Sequence, residues 1–130
     1  MPLLWVLHLG YGWIVAGFCL AAAAAFGAIP PQSTTHAFTA GGIGVLTLGM
    51  MARVALGHTG RPLRVGPAMA VAFGLVNLAA LLRALLPIWY PQWLSELVIF
   101  SGAFWSVAFI ILVVVYTPIL TQPRIDGRPG

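Results

Sequence analysis

Long apolar runs alternate with short polar breaks along the whole chain. Four of these runs are long enough to cross a membrane, because a hydrocarbon core of about 30 Å needs roughly 20 residues of helix. They cover about residues 3–26, 36–56, 67–86 and 93–116. The pattern predicts an all-α fold in which residues 1–130 form a single integral membrane domain, a four-transmembrane-helix bundle.

The breaks between the runs carry the residues that end helices. Residues 27–35 contain two consecutive prolines and a polar run, and Gly57 and Gly60 follow the second apolar run. Proline and glycine favour turns over continued helix. We expect Pro118 to end the fourth helix and to leave residues 118–130 as a polar tail, so no room remains for a second domain.

The composition fits a lipid environment. Apolar residues make up 61% of the chain and charged residues only 6%, whereas soluble domains are about a quarter charged. The net charge of +4 comes from arginines beside apolar runs, so it indicates membrane topology and not nucleic-acid binding. The single cysteine, Cys19, excludes an intrachain disulfide and a Cys-x-x-Cys metal site. The chain has no Ser-His-Asp set, carboxylate pair or phosphate-binding loop, which argues against hydrolases and nucleotide-driven proteins.

The arginines are unevenly distributed between the breaks. Arg61 and Arg64 lie between the second and third runs, and Arg124 and Arg128 lie in the tail, whereas residues 27–35 carry no charge. Short cytoplasmic loops of membrane proteins are enriched in Arg and Lys. We therefore expect both termini and the middle loop to be cytoplasmic.

The three histidines are the strongest candidates for chemistry. A lipid-facing histidine is costly, so we expect His8, His36 and His58 to face the bundle or a membrane boundary. His8 and His58 lie near the same end of consecutive antiparallel helices, and similar depth would let both rings ligate one haem. His36 lies about 33 Å from His58 along the second helix and cannot share its metal. The alternative is that each histidine is only an interfacial polar residue, with His58 capping its helix.

Polar residues within the apolar runs predict specific partners. Arg53 either extends to the cytoplasmic face or pairs with an anion such as a haem propionate, and Arg61 either pairs in the same way or only fixes topology. Arg83 and Glu96 lie at matching depth on successive helices, so we expect them to form an ion pair. Asn77, in the middle of the third run, is expected to make an interhelical hydrogen bond.

Three segments resemble the NnrS family. The most specific runs from His36-Ala-Phe-Thr-Ala-Gly-Gly-Ile-Gly to Met51-Ala-Arg-Val-Ala-Leu-Gly-His58-Thr-Gly-Arg61, and the other two are residues 4–11 and 116–130. Together they resemble the C-terminal third of the usually longer family members. NnrS proteins are multi-spanning proteins of the bacterial inner membrane that contain haem and copper. They are associated with nitric oxide metabolism and with resistance to nitrosative stress.

The resemblance implies that His8, His36 and His58 are metal ligands, for haem and for copper. Our first hypothesis is that His8 and His58 ligate one haem, with Arg53 or Arg61 near its propionates, and that His36 serves copper or a partner's metal. The competing assignment makes His36 the haem ligand, with the second ligand from another chain or absent. The expected partners are the lipid bilayer, haem, and a second copy of the chain or further membrane subunits.

Two other functions stay open at this point. The chain could be a non-enzymatic membrane assembly or scaffold subunit, or part of a small transporter. The residues do not decide whether it is an enzyme. A haem Soret band in the purified protein would favour the metal-binding function over both alternatives.

The arginine distribution gives a testable topology. In a Cys19→Ser background, a membrane-impermeant thiol reagent added from outside should label Gln32→Cys and leave Gly127→Cys unlabelled. The reason is that the charge-free connection is expected outside and the arginine-bearing tail inside. The reverse labelling pattern would show that the orientation is inverted.

Overall fold

Four long helices make up the computed structural model, which describes residues 1–127. They are α1 (Pro2–Ala25), α2 (Pro31–His58), α3 (Pro67–Trp89) and α4 (Pro91–Thr121). All four are long and apolar enough to cross a membrane, and no strand occurs in the described part of the chain. The predicted all-α bundle of four membrane helices is therefore confirmed. Arg128, which the predicted topology also uses, lies outside the described residues.

The second helix begins earlier than predicted. We expected residues 27–35 to form a loop, but α2 already starts at Pro31, and the connection from α1 covers only residues 26–30. Proline is well suited to the first turn of a helix, where its missing N–H would have no partner in any case. The Pro pair therefore starts the helix, and the polar run Ser33–Thr35 belongs to its first turns.

The fourth helix does not end at Pro118, which corrects the predicted boundary. It continues to Thr121 with Pro118 inside it. The hydroxyl of Thr117 donates to the carbonyl of Val113 at 2.6 Å, and the hydroxyl of Thr121 donates to the carbonyl of Thr117 at 2.9 Å. Proline is tolerated in membrane helices where Ser or Thr side chains satisfy nearby backbone groups.

Helices α1 and α2 run antiparallel and approach closely at glycines. A Cβ atom added at Gly17 would lie 2.6 Å from the Phe38 ring, and one at Gly49 would lie 2.9 Å from the Val6 side chain. Small residues let helix backbones approach in lipid, where packing and not the hydrophobic effect holds helices together. These contacts fix how α1 is aligned along α2.

The central helix of the bundle is α3, and most of its buried residues are small. The indole N–H of Trp13 on α1 donates to Asn77 Oδ1 at 3.0 Å, which confirms the predicted interhelical hydrogen bond. Asn77 Nδ2 donates in turn to the carbonyl of Phe73 at 2.8 Å. On the other side, the Ser101 hydroxyl of α4 donates to the carbonyl of Ala79 at 2.7 Å. These bonds connect α3 to its neighbours on two sides.

The two ends of the bundle differ in their polar residues. The Arg61 end contains the N-terminus of α1, the α2–α3 loop (residues 59–66) and the last turns of α4. The His36 end contains the α1–α2 connection, the first turns of α2, and the α3–α4 turn at Tyr90.

At the Arg61 end, the residues after α4 fold over the α2–α3 loop. Arg61 Nη1 donates to the carbonyl of Ile119 at 3.4 Å, and its Nη2 donates to Gln122 Oε1 at 3.2 Å. The backbone N–H of Ile125 donates to the carbonyl of Thr59 at 3.4 Å. The described part of the predicted polar tail is therefore non-helical after Thr121, and it is attached to the loop.

The α1–α2 contact predicts which glycine tolerates a side chain. A Cβ at Gly41 would lie 2.5 Å from the buried Trp13 ring, whereas a Cβ at Gly12 would have nothing within 4 Å. We expect Gly41→Ala to lower the free energy of unfolding by about 1–3 kcal/mol through overpacking. The matched control Gly12→Ala should be neutral, or stabilising by up to about 1 kcal/mol. Detergent-titrated unfolding followed by circular dichroism measures both, and equal effects would contradict this packing.

Candidate functional site

A groove at the His36 end lies between α2, α3 and α4, and His36 and Arg83 are its central polar residues. It consists of two adjoining cavities of about 360 and 420 Å³, and both residues line both cavities. Each of the two side chains is half-buried. The 360 Å³ cavity is also lined by Pro30, Pro87, Pro91 and Leu94. The 420 Å³ cavity is also lined by Ser101, Gly102 and Trp105.

The turn of α2 that follows His36 is not an ordinary α-helix. Residues Ala37–Ile43 form a π-helix, and the Thr39 hydroxyl donates to the carbonyl of Thr35 at 2.8 Å. Such wider turns are rare and often occur at functional sites. Gly44, directly after this turn, has no side chain and therefore leaves room for the Trp105 ring. A Cβ atom added at Gly44 would lie 3.0 Å from the indole nitrogen. The unusual turn therefore shapes the groove on the α2 side.

Arg83 does not form the ion pair that the sequence predicted. Within residues 1–127 it makes no hydrogen bond and no ion pair, and Glu96 is exposed. Equal depth was the only basis for that prediction, and Arg83 faces α2 beside His36 instead. Glu96 lies in the first turn of the α-helix Leu94–Thr121, where a carboxylate interacts favourably with the helix dipole.

His8 points out of the bundle. Its side chain is exposed, and its Nδ1 lies 2.8 Å from the carbonyl oxygen of Leu4. A carbonyl oxygen can only accept, so Nδ1 carries the proton and Nε2 keeps its lone pair free. This is the arrangement that metal-ligating histidines commonly adopt, with one ring nitrogen held by a backbone carbonyl.

The structure does not bring His8 and His58 together, and their predicted similar depth is wrong. Because Val6 lies opposite Gly49, His8 is level with about Thr47 on the antiparallel α2. His58 is about 11 residues further along α2, which corresponds to about 16 Å. One haem cannot be held between these two rings of one copy.

A second polar region lies at the Arg61 end. Arg53, His58 and Arg124 line a cavity of about 330 Å³. Arg124 forms a bidentate pair with Asp126, with N–O distances of 2.9 and 2.6 Å. Hydrogen bonding to Asp126 raises the pKa of the Arg124 guanidinium, which therefore keeps its charge. Arg61 lies outside this cavity, and its guanidinium is bonded to α4 and the tail.

The donor sets decide which cofactors fit one copy of the chain. Among the residues that the structure describes, no three His, Cys, Asp or Glu side chains come close enough to hold a metal ion. A copper site of several such ligands therefore does not fit a single copy. Haem iron needs only one or two imidazoles, and the groove offers one histidine beside an unpaired arginine. Haem fits that set. The metal-binding roles of His8, His36 and His58 stay predictions.

Comparison with known proteins now adds the family. The family model described as NnrS protein matches residues 1–124. The chain belongs to the NnrS family. Neither curated proteins nor solved structures gave a match. Membership of NnrS and four membrane-spanning helices together indicate a membrane protein related to the nitric oxide response.

Sequence reasoning placed His36 and Arg83 near the same end but did not pair them. The signal was present, because the Pro pair at the start of α2 and Pro87 and Pro91 after Arg83 mark matching ends of two helices. The direction in which each side chain faces depends on helix rotation, which apolar runs without strong amphipathicity do not specify.

The unpaired Arg83 predicts a stability effect in the protein without a ligand. A charged residue without a partner in a membrane helix costs free energy, so an apolar residue of similar size is expected to stabilise the fold. We expect Arg83→Met to raise the free energy of unfolding by on the order of 1 kcal/mol, and the exposed loop control Arg64→Met to leave it unchanged. If Arg83→Met and Glu96→Gln each destabilise, and the double variant is non-additive, the two residues form a pair after all.

Proposed function

We propose that this NnrS-family protein binds haem in the groove between His36 and Arg83 and takes part in the nitric oxide response through that haem. The observation that carries the proposal is an arginine without an anionic partner beside a histidine in a largely apolar groove. An unpaired cation within a membrane helix is costly, and such residues usually mark a functional site. Haem supplies what both residues lack, a metal for the imidazole and carboxylates for the guanidinium.

His36 is the residue that would hold the iron. Imidazole is a common axial ligand of haem iron. His36 lies directly before the π-helix Ala37–Ile43, and its side chain lines both cavities of the groove. When bound, haem iron offers a position for a diatomic ligand such as nitric oxide.

Arg83 would bind a propionate. A guanidinium and a carboxylate form two parallel charge-assisted hydrogen bonds, and these would neutralise the charge that α3 otherwise leaves in the groove. Trp105 and Gly102 provide apolar surface on the α4 side. This assignment agrees with the competing hypothesis from the sequence, in which His36 is the haem ligand. Among the described residues, no second histidine lines the groove.

We propose separately that copper binds only where a second chain supplies further ligands. One copy does not bring three His, Cys, Asp or Glu side chains together within residues 1–127. His8 exposes a ring nitrogen on the outer surface of α1, so it is the histidine that a second copy or a further membrane subunit would meet. We also propose that the protein lies in the bacterial inner membrane with both termini cytoplasmic, which places the haem groove near the outer face.

Single variants test the haem assignment. We expect His36→Ala to remove most of the haem Soret band from purified protein, because the groove offers no second imidazole. Arg83→Gln should retain haem more weakly, by about 1.5–3 kcal/mol of binding free energy for a lost charged hydrogen bond. His58→Ala is the matched control, since His58 lies at the opposite end, and its spectrum should not change.

Two outcomes would contradict this assignment. Haem retained unchanged in His36→Ala, but lost in His8→Ala or His58→Ala, would return the site to those residues. Purified wild-type protein without any Soret band after growth with haem would favour a scaffold or transporter subunit.

A further inference from the structure

One exposed strip of the membrane helix α2 leads to the cavity at the Arg61 end. Met50, Arg53, Val54 and Gly57 are all exposed, and all four line that cavity. Their spacing of three, four and seven residues puts them on one face of the helix. The strip is therefore continuous from the membrane boundary to about two turns inside it.

Arg53 is the cation of this strip that has no partner. Within residues 1–127 it makes no hydrogen bond and no ion pair. Two neighbouring arginines differ, since Arg61 is bonded to Ile119 and Gln122 and Arg124 is paired with Asp126, whereas Arg64 lies outside the cavity. Arg53 and the adjacent His58 thus present unused donors on the membrane-facing surface.

The surface around these donors is apolar. Met50 lies about one turn deeper than Arg53, Val54 lies between Arg53 and His58, and Leu63 from the α2–α3 loop lines the same cavity. A soluble anion would contact the donors but would gain nothing from the apolar residues. An amphipathic anion whose charge lies at the membrane boundary would use both parts.

We propose that this strip binds an anionic phospholipid, with Arg53 and His58 contacting the headgroup phosphate and one acyl chain lying along Met50 and Val54. Basic pockets at the cytoplasmic side of membrane helices are known to attract such headgroups. The site is separate from the haem groove, which lies at the opposite end of the bundle. It therefore does not depend on the proposed haem function.

Lipid retention by purified protein tests the proposal. Protein in nanodiscs of mixed phosphatidylglycerol and phosphatidylcholine is released for native mass spectrometry, and bound lipids are counted. We expect preferential retention of phosphatidylglycerol and an about fivefold loss of affinity in Arg53→Gln, the effect of one basic residue near the surface. Arg64→Gln removes the same charge from an exposed loop position outside the cavity, so it is the matched control and should retain lipid like the wild type.

A variant of His58 and a competition experiment with inorganic phosphate complete the test. His58→Gln should also weaken phosphatidylglycerol retention, and inorganic phosphate in excess should not displace the lipid. Equal losses in Arg53→Gln and Arg64→Gln, equal retention of phosphatidylcholine, or displacement by phosphate would each overturn the proposal. Loss of the haem Soret band from Arg53→Gln with unchanged lipid retention would instead assign Arg53 to a propionate.

Discussion

Helices surrounded by lipid gain little from hiding apolar surface, so close packing has to hold this bundle together. The protein achieves it at α2, where glycines receive side chains from two sides. Trp13 of α1 lies against Gly41, and Trp105 of α4 lies against Gly44. Gly41 lies within the π-helix Ala37–Ile43 and Gly44 follows it directly, so the close approach of the helices occurs at the irregular turn that follows His36.

These contacts determine where each histidine lies, and the sequence could not supply them. Hydropathy alone predicted the number of helices and their approximate length, because about 20 apolar residues are needed to cross the hydrocarbon core. Several alignments of two glycine-bearing helices satisfy the same pattern. Only the observed contacts, such as Val6 against Gly49, show that His8 is level with about Thr47 and not with His58.

Two helix ends and one ion pair were also predicted wrongly, because they depend on contacts that the apolar pattern does not specify. Pro31 and Pro118 were both interpreted as breaks, yet one begins a helix and the other lies inside one. Proline costs little in a first turn, and nearby threonine hydroxyls make it tolerable within a membrane helix. Arg83 and Glu96 were paired by depth alone, although an ion pair also requires that both side chains face each other.

Four arginines of the described chain form two groups with different consequences, and the fifth, Arg64, is exposed in the α2–α3 loop. Arg61 and Arg124 have hydrogen-bonding partners and hold the residues after α4 over the α2–α3 loop. Arg53 and Arg83 have no such partner within residues 1–127 and line cavities open to a ligand. A cation left unpaired in a membrane helix reduces stability, and an anion that binds only the folded state would stabilise it by an amount that rises with the logarithm of the anion concentration above its dissociation constant. A ligand bound at either of these two positions would therefore be coupled to the stability of the bundle itself.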